Sequence, residues 1–198
     1  MNKKKIRNIL RLVSAVLCWF MYIPHFLCYV KGPTHLIKSD LVKYGDQIGF
    51  KLPMSLSLLY LLHNNRYYRC LFYHRIGPVM SLAIGWFRPG DKYLVISKTT
   101  KIGEGVYLAH PFSTEINAKS IGSNFSCRHL TTIGNKRDGD NVNRPIIGDN
   151  VNLGVNVTII GNVSIGNNVI VGAGSVVVKD VPDNCIVAGN PAKIIRYL

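Results

Sequence analysis

Acidic residues are scarce in this chain. Ten Asp and Glu stand against 24 Lys and Arg, a formal net charge of +14. The imbalance is uneven: residues 1–97 hold 14 basic and 3 acidic side chains, residues 98–198 hold 10 and 7. A basic surplus set among apolar residues points to an anionic membrane surface. Nucleic acid fits less well as a partner, because no nucleic-acid motif is present and the basic half is also the apolar half. Cysteine is thinly spread. Cys18, Cys28, Cys70, Cys127 and Cys185 are odd in number and form no CxxC pair. That excludes a disulfide framework or a zinc knuckle and points to reduced thiols in a cytosolic protein. Histidine is short where a metal would need it. Residues 98–198 contain only His110 and His129, one fewer than a three-histidine zinc site, so no metal is expected.

What the second half has is a period. From Ile147 the chain reads in sixes: IGDNVN, LGVNVT, IIGNVS, IGNNVI, VGAGSV, VVKDVP. Each block opens on an aliphatic residue, Ile147 through Val177, and four positions on stands Val or, once, Ser175. A period of six matches neither the 3.6 of a helix nor the alternation of a strand. It is the period of a solenoid, in which one block makes one flat face and three faces make one coil. The opening residues then point inward and stack on their equivalents in the next coil, about 4.8 Å away. Gly and Asn suit the corners, where the backbone needs positive φ. Ile96, Ile102 and Leu108 begin the same pattern. Phase slips between Leu108 and Ile121 and resumes at Cys127 and Ile133. Residues 134–145, GNKRDGDNVNRP, break the period and must leave the prism as an excursion loop. Such loops usually carry substrate contacts.

The blocks, together with Gly174-Ser175-Val176-Val177-Val178-Lys179-Asp180-Val181-Pro182 and Val187-Ala188-Gly189-Asn190-Pro191-Ala192-Lys193, resemble the hexapeptide repeat and closing motif of left-handed β-helix acyltransferases. The nearest branch is the serine acetyltransferase-like group, with its relatives that O-acetylate sugars of surface polysaccharides. The resemblance is strong over 95–198, weak over 66–94 and absent before that. It implies a mainly β fold: a left-handed parallel β-helix over residues 95–198, closed by residues 182–198, after a short α-helical, apolar region at 1–94. Handedness comes from the resemblance, since parallel crossovers are ordinarily right-handed. The long helical N-terminal domain of biosynthetic serine acetyltransferases is not expected to have a counterpart here.

Residues 12–30 carry no formal charge and approach the ~20 residues of a membrane span. Basic residues precede and follow them. A cleaved signal peptide lacks its small-residue site at Cys28-Tyr29-Val30-Lys31. A single span would put an acyl-CoA enzyme outside the cell. A re-entrant or in-plane element kinked at Pro24 is favoured, and a core helix is the alternative. The expected location is therefore the cytoplasm, at the inner face of a bacterial cytoplasmic membrane. Residues 31–65 read as loop with a short helix near 56–62. Residues 66–77 read as a second helix, ended by Gly77-Pro78.

Acyl transfer to a hydroxyl needs a base to take the proton, and neutral histidine suits that at pH 7. His110, in Leu108-Ala109-His110-Pro111 at the phase break, resembles the family's catalytic segment, where an imidazole enters a cleft between subunits of a trimer. Serine acetyltransferases have Asp where Ala109 stands, and a second His where Arg144 stands in Asn143-Arg144-Pro145. Those departures favour a sugar hydroxyl over serine as acceptor, with Asn143 and Arg144 as acceptor-binding candidates. His129 and Glu115 are candidates for a second catalytic or an orienting role. For acetyl-CoA, the resemblance points to Gly154, Gly172 and Ala173 along the pantetheine groove. Lys179 and Lys193 are cations for the phosphates. The expected activity is an acetyl-CoA-dependent O-acetyltransferase acting as a homotrimer. Serine O-acetylation and a non-catalytic scaffold at a membrane are the alternatives.

Overall fold

The computed structural model describes residues 3–48, 51–137 and 139–198. The chain divides into two compact units, Met1–Asp91 and Lys92–Leu198.

The first unit is helical. α1 (Lys3–Leu17) is followed by a 3₁₀ turn (Trp19–Tyr22). Then come α2 (Ile23–Lys31), α3 (Thr34–Ile48), α4 (Met54–Asn64), α5 (Arg66–Ile76) and α6 (Pro78–Gly85). α4 is the centre of the unit, with Leu58, Leu59, Leu61 and Leu62 all buried. α5 is capped by Asn65, whose side-chain oxygen accepts the N–H groups of Tyr67 and Tyr68 at 3.0 Å each; such a cap is worth about 1 kcal/mol. It stops at Gly77, which takes φ +83 ahead of Pro78. Arg75 of α5 reaches Asp40 of α3 through two bonds, Nε to Oδ2 at 2.9 Å and Nη2 to Oδ1 at 3.1 Å. Both side chains are buried.

Two expectations are corrected here. Residues 34–48 are helix, not loop. They bury Ile37, Leu41, Tyr44 and Ile48, a stripe at helical spacing. The break in the apolar N-terminal segment falls at the 3₁₀ turn, not at Pro24. α1 and α2 are bent by 74° there. Pro24 sits in the first turn of α2, where its missing N–H costs no hydrogen bond. No single helix among the described residues is long and apolar enough to cross a membrane.

Burial inside this unit pushes His25 down to about 4, with the Arg69 charge adding to the effect. His63 is lowered for the same reason, aided by Arg88 and Arg69. In the fold the His25 ring stays neutral to about pH 4 and His63 takes its proton less readily, whereas an unfolded imidazole gains one below about 6.5. The unfolded state therefore binds more protons as pH drops, and stability falls with it. Helical circular dichroism of the full chain should show a melting midpoint that declines from about pH 7 to about pH 4. The decline should be smaller in His25→Gln, whose amide can still meet the Tyr73 hydroxyl that His25 Nε2 meets at 3.0 Å.

The second unit is the solenoid. Its first coil is β1 (Leu94–Ile96), β2 (Lys101–Ile102) and β3 (Tyr107–Ala109). The second is β4 (Thr114–Ile116), β5 (Ser120–Ile121) and β6 (Ser126–Arg128). The third is β7 (Thr132–Gly134), β8 (Ile146–Ile147) and β9 (Asn152–Leu153). The fourth is β10 (Thr158–Ile160), β11 (Ser164–Ile165) and β12 (Ile170–Val171). The fifth begins with β13 (Val176–Val177) and, after a bridge at Val181, ends in β14 (Cys185–Gly189). β15 (Ala192–Tyr197) then folds back on β14 in antiparallel sense.

Three sheets result. The first is β1-β4-β7-β10-β13, the second β2-β5-β8-β11, and the third β3-β6-β9-β12-β14-β15. All the coil-to-coil pairings are parallel. The ladders are the ones the hexads specify: Ile147 on Ile165, Leu153 on Val171 and Ile159 on Val177, every one buried. The edge between the second and third sheets carries an asparagine ladder. Asn124, Asn150, Asn168 and Asn184 all take positive φ. Each amide donates to the next side-chain oxygen at 3.0, 3.0 and 2.8 Å. Gly148 has no room for a side chain, since an added Cβ would sit 2.8 Å from the Gly166 backbone of the next coil. The solenoid is a left-handed parallel β-helix of about five turns.

Candidate active site

The edge between the third sheet and the first gathers most of the candidate residues. After β3 it is formed by His110 to Ser113, after β6 by His129 and Leu130, after β9 by Gly154 to Asn156, and after β12 by Gly172 to Gly174. At the far end Ala188 of β14 stacks over Gly172 and pairs with Lys193 of β15. Four coil steps separate His110 from Ala188, roughly 19 Å at the inter-strand spacing.

His110 owes its position to an insertion. Leu108 and Ile116 both face inward, and the interval between them exceeds the period of six by two residues. The surplus makes a tight turn in which His110 takes φ +51 and Ser113 φ +50. Phe112 N–H donates to the His110 carbonyl at 2.7 Å, and Leu130 N–H to the Phe112 carbonyl at 2.9 Å. Pro111 is buried, so the turn is anchored while the imidazole is exposed. Beside it on the outer face of the third sheet lie Tyr107, Ala109 and, one coil on, Ser126 and Arg128. Burial raises the Tyr107 hydroxyl pKa, and the Arg128 charge opposes that. The Phe112 ring rests against Tyr93, centroids 5.1 Å apart. Phe112, Tyr107 and Arg128 are site neighbours that the sequence did not single out. Phe112 falls in the slipped phase, Tyr107 shares β3 with Ala109, and strand register sets Arg128 opposite Ala109.

His129 stands one coil on from His110, exposed, and its carbonyl accepts the Asn156 N–H at 3.0 Å. Glu115 points outward from β4, around the corner on the first sheet. Among the described residues no hydrogen bond joins it to His110.

Gly154 and Gly172 lie in contact with the next coil. An added Cβ would come 2.7 Å from Ala173 N or 2.9 Å from Ala188 Cβ. Their N–H groups are already used, by Val171 and Val187 carbonyls at 2.8 Å each. Coil stacking therefore accounts for both glycines. Ala173 is different: it is exposed, and among the described residues its N–H donates to nothing.

Asn143, Arg144 and Lys179 are not brought to this edge. They lie on the edge between the first and second sheets, where residues 135–145 leave the prism. Arg144 is buried there. Its Nη1 donates to Thr99 Oγ1 at 2.8 Å and Asn117 Oδ1 at 3.1 Å, while among the described residues its Nε finds no partner. Asn143 turns inward to the loop, its amide donating to Asp140 Oδ2 at 2.9 Å. That contact and its backbone counterpart hold the Asp140 carboxyl below the usual range. Among the described residues no cluster of three metal-ligating side chains forms. The cysteines offer no nucleophile on this unit. Burial pushes Cys127 up to about 12, and Cys185 is raised for the same reason.

Residues 144–179 match the family described as "Bacterial transferase hexapeptide (six repeats)". The chain is 36% identical over 176 residues to serine acetyltransferase 2 of Arabidopsis thaliana, covering 85% of this chain and 54% of that one. It is 46% identical over 100 residues to the putative colanic acid biosynthesis acetyltransferase WcaB of Escherichia coli K12, covering 50% of this chain and 61% of that one. A soybean serine acetyltransferase solved in complex with serine superposes with a TM-score of 0.69 at 26% identity, over 88% of this chain and 74% of that one. The chain thus spans a little over half the length of these two curated relatives. The solenoid unit is only about half of this chain, so a superposition over 88% of it must include much of the helical unit.

Proposed function

From a solenoid of bacterial transferase hexapeptide repeats whose relatives are serine and polysaccharide acetyltransferases, we propose that this chain is an acetyl-CoA-dependent O-acetyltransferase with His110 as general base. One observation carries the reading. His110, His129, Ala173 and, at the far end, Lys193 follow a single edge of the prism, a line suited to an extended pantetheine arm with its phosphates beyond the last coil. The Ala173 N–H is a donor for an amide of that arm, and Lys193 is a cation for a phosphate. In the transfer, His110 takes the proton of the acceptor hydroxyl as its oxygen attacks the thioester carbonyl. The tetrahedral intermediate collapses with cleavage of the C–S bond, and the protonated His110 returns the proton to the departing thiolate. No covalent enzyme intermediate is required, in keeping with the protonated cysteines. A homotrimer, with the acceptor entering between one chain's His110 edge and a neighbouring chain, completes the proposal.

The acceptor is read as a sugar hydroxyl. Ala109 supplies no carboxylate next to His110, and Arg144 is spent as a strut between Thr99 and Asn117. Serine is the second reading, favoured by the relatives named for it. CoA release from acetyl-CoA separates the two. With nucleotide- and lipid-linked sugars, turnover is expected at least tenfold above that with L-serine, a difference of about 1.4 kcal/mol in transition-state binding. Turnover with serine alone overturns the sugar reading. Failure to bind acetyl-CoA at all overturns the enzyme reading in favour of a scaffold.

A further inference from the structure

The helical unit turns an apolar face outward. On α1 the buried side is Asn8 and Ala15, while Ile6, Leu10, Val13 and Leu17 are exposed along the opposite side. The turn after it exposes Trp19 and Phe20, and α2 continues with Ile23, Leu27 and Val30 at the spacing of one helical stripe. α6 has no buried residue and exposes Val79, Leu82 and, just beyond its end, Trp86. Between α2 and α6 opens an apolar groove of about 440 Å³, running from Leu27 to Met80 with Lys31 in its wall. A soluble chain rarely leaves so many large apolar side chains, and an apolar groove beside them, exposed.

Charge decides between occupants. Lys3, Lys5, Arg7 and Arg11 flank the stripe on α1 and are all exposed. The first acidic residue of the chain is Asp40, and no acid occurs in α1, α2, α6 or the turn. Asp40 and Asp91 are buried in ion pairs with Arg75 and Arg66. A second copy presenting the same face would set lysines and arginines against lysines and arginines, with no carboxylate to offset them. An anionic bilayer offers apolar depth for the stripe and phosphates for the basic flank. Aromatic side chains at the bend and beside α6 suit the headgroup level.

We propose that the outward face of α1, the 3₁₀ turn, α2 and α6 lies in the plane of an anionic lipid surface, with the stripe from Ile6 to Val30 entering the acyl boundary. This docking stands independently of the acyl-transfer reading, because its readout is binding.

The chain supplies its own probe. It has two tryptophans, Trp19 and Trp86, both in this unit and both more than half exposed. Full-length protein is mixed with vesicles of phosphatidylcholine and phosphatidylglycerol, or of phosphatidylcholine alone. Tryptophan emission should shift to the blue and be quenched by brominated acyl chains, with binding on the order of tenfold tighter to the anionic vesicles. The double variant Leu10→Asp, Val13→Asp changes two exposed positions; with helical circular dichroism unchanged, it should abolish the shift. Arg7→Gln with Arg11→Gln should erase most of the preference for anionic lipid. Absence of a blue shift in wild type, or a shift that survives the Leu10 and Val13 changes, overturns the proposal. Self-association that those changes abolish, without any vesicle binding, assigns the face to a second copy and overturns it too.

Discussion

Replacing His110 by Asn is expected to lower kcat by about 10²–10⁴-fold, the usual contribution of a positioned general base, with the solenoid intact. Asn is the informative choice because position 110 takes φ +51. Asn tolerates that left-handed backbone, so the turn survives while the imidazole is lost. His110→Ala removes the ring as well but adds backbone strain at the same site. The imidazole is exposed and forms none of the hydrogen bonds that hold the turn; those run between backbone groups of His110, Phe112 and Leu130. KM for acetyl-CoA should change little if the acyl donor is held further along the edge. Turnover within a few-fold of wild type would remove His110 from the mechanism and shift attention to His129, one coil on.

Asp40→Ala should be strongly destabilising to the helical unit, costing about 3–5 kcal/mol. Arg75 is 3% exposed and gives Asp40 two hydrogen bonds. Deleting the carboxylate takes those two bonds from a buried guanidinium that cannot shed its proton. The contrast is the double change Asp40→Leu, Arg75→Met. It replaces the buried pair with apolar volume and should recover most of the loss, since a buried ion pair is costly to break and cheap to remove whole. Urea titration followed by helical circular dichroism reads both variants. Equal destabilisation of the single and double variants would mean that packing, and not the stranded charge, is what Asp40 supplies.

The hexads made the solenoid readable because each block repeats one decision: inward at the first position, inward again four on, a corner between. Ile147 to Val177 could be set on their ladders without coordinates. The helices were harder. α3 buries Ile37, Leu41, Tyr44 and Ile48, yet Lys38, Asp40, Lys43 and Gly45 dilute the pattern. Asp40 also reads as a surface residue until its partner Arg75, 35 residues on, is known. Pro24 reads as a kink because proline inside a helix usually is one; here the helix begins beside it. At the site, the histidine turn was visible as a slipped phase, but the company it keeps was not. Two extra residues at His110 and the excursion after Gly134 mean that neighbours on the edge are not separated by any constant interval. Strand register, as in Ala109 opposite Arg128, has to be known first. Arg144 is the sharpest reversal of appearance. In the polar loop it reads as an acceptor-binding candidate, whereas it lies buried and holds the root of that loop to Thr99 and Asn117.

Every coil of this solenoid is also a template, offering the next one a row of parallel donors and acceptors, and a template of that kind has no inherent length. β15 supplies the length. By running antiparallel to β14 it covers the third sheet with a strand of the wrong polarity for another coil. It also sets the charges of Lys193 and Arg196 on the new outer edge. In polymer terms it is a chain stopper: the ladder that builds the solenoid from within is kept from recruiting a second molecule end to end.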